Sequence, residues 1–91
     1  MSGATNSVNT ITVRYFASIR EAMQTGSEQL QTTAATVGEL RSEIMGKSAA
    51  AAEALAHGKA VRMALNQDMC DGAAALKNGD EVAFFPPVTG G

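Results

Sequence analysis

The sequence predicts an α+β domain in which helices pack on one face of a mixed sheet. Three segments alternate apolar and polar side chains with the period of a half-buried strand, and two segments with helical spacing lie between the first and second of them. Joining these elements in order requires both hairpin and crossover connections, as in α+β folds. The 91 residues suggest one such domain over residues 8–86, between a flexible N-terminal tail (1–7) and an extended functional tail (87–91).

The first strand is predicted over residues 8–16, where the side chains alternate. Its two sides are Ile11, Val13 and Tyr15 against Thr10, Thr12, Arg14 and Phe16. Residues 18–23 then predict a short helical turn that ends at Gly26. Residues 28–34 form a weakly marked second strand, which we expect to pair with the first.

Two helices are predicted in the middle of the chain. Thr36 and Glu39 have the spacing of a capping box, in which their side chains bind free backbone N–H groups at a helix start. The apolar face of this main helix consists of Val37, Leu40 and Ile44. The helix ends at Gly46, and the alanine-rich residues 49–57 predict a second, shorter helix that ends at Gly58.

Two further strands follow the helices. The first covers residues 60–66 and places Val61, Met63 and Leu65 on one side. Two turn dipeptides, Asp71-Gly72 and Asn78-Gly79, then bracket a loop. The last strand covers residues 80–85, with Val82 and Phe84 on one face and Glu81, Ala83 and Phe85 on the other.

The composition argues against several classes of function. A net charge of −2 without a basic cluster argues against binding nucleic acid or an anionic membrane, and no apolar run reaches the roughly 20 residues of a membrane span. The single cysteine rules out an internal disulfide and the first residues do not resemble a signal peptide, so we expect a cytoplasmic location. With one histidine, one cysteine and no metal-ligand spacing, the chain predicts no triad and no metal site. We therefore expect a protein that works with partners, not an enzyme on its own.

The C-terminal segment is the most informative part of the chain. Pro86 and Pro87 fix φ and lack an N–H, so they cannot extend a sheet and favour a stiff spacer that points outward. Gly90 and Gly91 have no Cβ, so a narrow channel in a partner can admit them. The group presented is the terminal carboxylate of Gly91, which is ionised at neutral pH and must be activated before a nucleophile can attack it.

Strand parity predicts a second candidate site. Phe16 shares its face with Arg14. Phe85 likewise shares its face with Glu81, so each aromatic side chain occupies a position where a polar one is usual. Met69, just past the preceding strand, joins them if that strand lies beside the other two. We interpret these three residues as a partner-binding patch beside the tail; the alternative is that the two aromatic side chains only cover a sheet edge or contact a loop.

Residues 78–91 read Asn-Gly-Asp-Glu-Val-Ala-Phe-Phe-Pro-Pro-Val-Thr-Gly-Gly. This segment resembles the C-terminus of the small subunits of molybdopterin synthase, a family of ubiquitin-like sulfur carriers. Residues 13–17, 19–21 and 64–67 are also similar to that family. The resemblance implies a β-grasp fold, in which a mixed sheet packs against one main helix.

The resemblance also implies a chemistry for Gly91. In the family, an ATP-dependent activating enzyme adenylates the terminal glycine, and sulfur displaces AMP to leave a thiocarboxylate. Two carriers then donate sulfur in turn to a cyclic pyranopterin monophosphate in the large synthase subunit, within a heterotetramer. The residues that thread into the large subunit are then Pro86, Pro87, Val88, Thr89 and Gly90. The carrier itself is expected to bind no cofactor, since ATP is used by the activating enzyme.

Two other functions stay open. One is a sulfur carrier for thiamine or another thiocarboxylate pathway, which shares the diglycine but is not associated with the Phe-Phe-Pro-Pro segment. The other is a ubiquitin-like modifier joined through Gly91 to lysines of target proteins, which begins with the same adenylate. We interpret His57 as solvated or as complementing a helix end. Cys70 is interpreted as a structural or incidental thiol, because the family carries its sulfur on the terminal glycine.

Overall fold

The computed structural model describes residues 8–56 and 60–87, which form a five-stranded mixed sheet and three helices. In chain order the elements are β1 (Asn9–Tyr15), α1 (Ala17–Met23), β2 (Ser27–Thr32), α2 (Val37–Met45), α3 (Ala49–Ala54), β3 (Arg62–Leu65), β4 (Asp68–Cys70) and β5 (Glu81–Phe85). The strand order in the sheet is β2-β1-β5-β3-β4. The first and last strands therefore lie side by side in the middle of the sheet.

The pairing of the strands is that of a β-grasp fold, as the resemblance implied. β1 and β2 are antiparallel, which confirms the predicted hairpin. β1 and β5 are parallel, with Val13 opposite Val82 and Tyr15 opposite Phe84. β3 is antiparallel to both β5 and β4. Because β1 and β5 run in the same direction, the C-terminal end of β5 lies beside the start of α1.

One face of the sheet packs on the helices and forms the core. The predicted inward side chains of β1 and β5 are all buried: Ile11, Val13, Tyr15, Val82 and Phe84. The predicted apolar face of α2 is fully buried against them. Tyr15 stacks on Phe84 with 6.3 Å between ring centroids, and its hydroxyl donates a 2.7 Å hydrogen bond to a carboxylate oxygen of Glu28. This bond gives the polar end of a buried ring its partner.

The start of α2 has the predicted cap. The backbone N–H of Glu39 donates to Oγ1 of Thr36 over 3.2 Å, and the Glu39 carboxylate accepts from the backbone N–H of Ala35 over 3.0 Å. The carboxylate thus reaches one residue further back than in the usual capping box. The helix ends at Met45, with Gly46 as the residue that follows it, as predicted.

α1 ends at Met23, as predicted, but a different residue terminates it, and α3 ends earlier than the sequence predicted. α1 is followed by Gln24 in the left-handed region at φ 61°, whereas Gly26 belongs to the strand connection, where its carbonyl accepts from the Tyr15 N–H over 3.0 Å. α3 ends at Ala54, and the guanidinium of Arg41 binds the carbonyls that follow it. It donates to the carbonyls of Leu55 and Ala56 over 2.7 and 2.8 Å. His57 and Gly58 lie outside the described residues.

The short strand β4 was not predicted. It follows β3 through a two-residue turn in which Asn66 and Gln67 both have positive φ, 51° and 71°. Such a turn matches the twist of a hairpin. The Asn66 side chain ties the turn to the next strand: its Oδ1 accepts from the Glu81 N–H over 2.9 Å, and its Nδ2 donates to Asp80 over 3.0 Å. The hairpin carries Met69 to the edge of the sheet.

Candidate functional site

The tail leaves the folded body at the end of a central, buried strand. Phe84 is fully buried, and its carbonyl accepts from the Phe16 N–H over 3.2 Å. Pro86 and Pro87 follow β5 directly and are half-buried. They line one end of a cavity of about 280 Å³ between α1 and α3. The chain therefore starts its tail from a fixed point, whereas the predicted threading residues Val88, Thr89, Gly90 and Gly91 lie outside the described residues.

The two predicted aromatic side chains meet on the other face of the sheet. The rings of Phe16 and Phe85 pack edge to face with 6.4 Å between their centroids. Phe16 is 42% exposed and Phe85 is half-buried. The strand parity predicted for both is confirmed, and the two side chains cover each other only in part.

The backbone after β1 places Phe16 on this face. Phe16 is still extended, with φ −129° and ψ 154°, and it precedes the first turn of α1. Ala17 then takes φ 53°, a left-handed conformation that is uncommon for a residue other than glycine. This one residue turns the chain from strand to helix and leaves the Phe16 ring outside the core.

Met69 lies on the same face but not beside the aromatic pair. It is 58% exposed on β4, opposite Ala64, which in turn lies opposite Ala83 on β5. Two small side chains thus bridge the gap between Met69 and the aromatic rings. We call the apolar surface formed by Phe16, Phe85, Ala83, Ala64 and Met69 the open face. The sequence prediction left out Ala64, although its alternation with Met63 and Leu65 indicates this face; Ala64 is only 6% exposed, so it fills the floor of the open face and offers a partner little area.

The open face also carries charged side chains. Nη1 of Arg14 donates to Oε2 of Glu81 over 3.2 Å in an ion pair that joins β1 to β5. The same guanidinium lies 5.7 Å from the centroid of the Phe16 ring. Arg62 is exposed opposite Phe85. Glu81 is thus the ion-pair partner of Arg14 on this face, a contact that the sequence did not predict.

Cys70 lies away from the open face, opposite Met63 on the helix side of the sheet. It is half-buried, and its burial and the nearby Asp71 carboxylate raise the pKa of the thiol. A thiol with a raised pKa holds little of the reactive thiolate at neutral pH, which supports its interpretation as structural. Among residues 8–56 and 60–87, no group of three or more histidine, cysteine or carboxylate side chains is placed to hold a metal ion. No helix in these parts of the chain is long and apolar enough to cross a membrane.

The comparison with protein families agrees with this arrangement. The model of the ThiS family matches residues 13–91, that is, the whole sequence from the middle of β1 onwards. The chain belongs to the ThiS family. Two curated relatives are each 42% identical to this ThiS-family chain over 81 residues, and each match covers 89% of this chain and 99% of the relative. Both are molybdopterin synthase sulfur carrier subunits, one from Haemophilus influenzae and one from Escherichia coli.

Solved structures of other proteins share this fold. The solution structure of the Haloferax volcanii HVO 2177 protein superposes with a TM-score of 0.76 at 26% identity, and the match covers both chains completely. A chain in the complex of subunits 1 and 2 of molybdopterin-converting factor from Helicobacter pylori is 32% identical, with a TM-score of 0.59. That match covers 90% of this chain and 99% of the other.

Proposed function

We propose that this protein is the sulfur carrier subunit of a molybdopterin synthase. One observation carries the proposal: relatives of that name match it at 42% identity over almost their whole length. The match to the family model extends to Gly91, so the similarity to the family includes the tail as well as the folded body. Within the ThiS family, this is the function that the relatives support best.

The position of the tail root supports the carrier function. Pro86 and Pro87 leave the centre of the sheet between the open face and the cavity formed by α1 and α3. Ordering the four residues beyond Pro87 in a partner's channel costs about 1 to 2 kcal/mol of backbone entropy each, and they offer little apolar area in return. The free energy of docking must therefore come from another surface. The open face is adjacent and exposes the aromatic and methionine side chains that protein interfaces favour.

The partner that we assign to the open face is the large synthase subunit. The Helicobacter pylori relative comes from a complex of subunits 1 and 2 of molybdopterin-converting factor, so a chain of this fold does assemble with a second subunit. Phe16, Phe85 and Met69 are the side chains that we expect to bind there. A heterotetramer, with two carriers on a dimer of large subunits, follows from the family resemblance.

The chemistry that we assign to Gly91 is acyl activation followed by sulfur transfer. The terminal carboxylate attacks the α-phosphorus of ATP in the activating enzyme, and pyrophosphate leaves. Sulfur at the sulfide oxidation level then attacks the acyl carbon, and AMP leaves with the electron pair of the C–O bond. The resulting thiocarboxylate gives its sulfur to the cyclic pyranopterin monophosphate in the large subunit. The carrier supplies no catalytic side chain in this scheme, and a cytoplasmic location fits its need for ATP and reduced sulfur.

Intact-mass spectrometry tests this proposal directly. The full chain is incubated with the activating enzyme, magnesium ATP and a sulfide source. We expect a gain equal to the exchange of one oxygen for one sulfur. A chain that lacks Gly91 is the control and should gain nothing. No gain under conditions that charge a known carrier would refute the proposal, and recovery of the chain from cells mainly as lysine conjugates would favour a protein modifier instead.

A further inference from the structure

A small cavity of about 240 Å³ lies in the open face beside the aromatic pair. It is lined by Arg14, Phe16, Gln67, Glu81 and Ala83. We propose that this cavity is a binding site for a carboxylate side chain of the large subunit, with the Arg14 guanidinium as the donor. The inference rests on the proposed docking of the open face and adds a specific polar contact to it.

The Arg14 side chain is held in place from two directions. Its Nη1 is fixed by Glu81 at 3.2 Å, and its guanidinium lies near the ring of Phe16, 5.7 Å from the centroid. Its side chain nevertheless remains 49% exposed, against 27% for that of Glu81. An arginine that is oriented before binding loses less conformational entropy when it meets a partner. The geometry is thus that of a donor already positioned at the surface.

Docking at the open face would leave Arg14 short of acceptors. A guanidinium has five N–H donors, and within the described residues the only hydrogen bond of this one is to Glu81. The remaining donors are solvated in the free carrier. When a protein surface covers them, the water is lost, and a buried donor or charge without a partner is strongly unfavourable. The large subunit must therefore present an acceptor opposite Arg14.

The local charge favours a carboxylate as that acceptor. On β1, β5 and β3, the three strands around the aromatic pair, the open face carries Arg14 and Arg62 but only one carboxylate, Glu81. Arg62 is exposed and has no ion pair within the described residues. The region is therefore locally positive in a chain with a net charge of −2. A carboxylate also matches the planar guanidinium in geometry, because it can accept two parallel N–H bonds.

Isothermal titration calorimetry of the full-length carrier with the purified large subunit tests the inference. Arg14→Gln should weaken binding by about tenfold to a hundredfold, the range for a lost hydrogen bond to a charged group. Glu81→Gln should leave binding unchanged or tighten it, because the glutamine amide oxygen can still accept from Arg14 and hold its guanidinium, while the negative charge next to the incoming carboxylate is removed. The double variant Arg14→Glu, Glu81→Arg keeps an ion pair inside the carrier but moves the cation, and should bind as weakly as Arg14→Gln.

Controls separate this inference from the proposed function. Lys47→Gln removes the same charge from an exposed position after α2 and should not change the dissociation constant. A surface ion pair adds little to stability, so every variant should fold, which circular dichroism checks. If Glu81→Gln weakens binding as much as Arg14→Gln, and the double variant restores it, the pair acts only inside the carrier and the carboxylate site is refuted. If Arg14→Gln has no effect while Phe85→Ala does, the site is refuted and the docking face stands. If neither has an effect, the docking face itself is wrong.

Discussion

Phe16→Ala is the sharpest test of the open face as a docking surface. A phenylalanine side chain buries about 200 Å² when fully covered, and Phe16 is 42% exposed, so about 80 Å² is still available to a partner. At about 25 cal/mol per Å², covering that area contributes about 2 kcal/mol. Its loss should raise the dissociation constant of the complex with the large subunit by about thirtyfold. The fold should survive, because the hydrogen bond from the Phe16 N–H to the Phe84 carbonyl does not involve the side chain.

Calorimetry with the purified large subunit measures this change. Val8→Ala is the matched control, because Val8 is another exposed apolar side chain, 57% exposed, at the far end of the first strand. Eight residues of extended chain separate the two positions by about 26 Å. We expect Val8→Ala to bind like the wild type. A dissociation constant for Phe16→Ala within twofold of the wild type, with the fold intact, would refute the docking role, as would equal losses in both variants.

Two further predictions concern the fold and the thiol. Gly38→Ala should lower the free energy of unfolding by about 1 to 3 kcal/mol, because a Cβ there would lie 3.0 Å from the carbonyl oxygen of Gly72. Urea titrations measure this change, and Gly46→Ala is the control, because Gly46 has φ −76° and a Cβ there would meet its neighbours only at ordinary contact distances. Equal urea midpoints for the two variants would contradict the steric argument. Cys70 should react with iodoacetamide more slowly at pH 8 in the folded chain than in urea, since burial and Asp71 raise the pKa of its thiol. Because the thiol is more acidic in the unfolded chain, ionisation of Cys70 lowers the free energy of unfolding as the pH rises above its unfolded pKa. Alkylation at equal rates in the folded and unfolded chains would show that the pKa is not raised.

Alternation of side chains was enough to predict most of the fold. Apolar residues recur every 2 residues in β1 and β5 and about every 3.6 residues in α2. The sequence shows these periods directly, and they predict which side of each element is buried. β4 escaped prediction because three residues are too few for a pattern, and the preceding turn uses Asn66 and Gln67 in place of a glycine. After α3 the Leu55 carbonyl is bound by Arg41, a contact across 14 residues that the local alanine-rich sequence does not indicate.

The candidate site was predicted from exceptions to the same alternation. Phe16 and Phe85 occupy positions where a polar side chain is usual, and the structure places them in contact on the open face. What the sequence could not supply was the distance between positions on different strands. The ion pair of Arg14 with Glu81 depends on the parallel register of β1 and β5. The gap between Met69 and the aromatic rings depends on the order of β3 and β4 in the sheet. Register and strand order are set by the whole fold.

The core follows the regular alternation, whereas the open face departs from it. This difference fits the proposed function, in which one carrier binds two partners in turn. Under the proposed function, both the activating enzyme and the large subunit bind the tail, so tail contacts alone cannot distinguish them, and the ordering cost of about 1 to 2 kcal/mol per residue applies in each complex. A surface beside the tail can supply the difference in affinity. In the described structure that surface combines the apolar contacts of Phe16 and Phe85 with the cation of Arg14. Apolar contact mainly sets the strength of binding, whereas a charged contact adds a penalty for a partner that lacks its complement. If the proposed function holds, Arg14 is therefore better suited than the aromatic pair to determine which of the two partners the carrier selects.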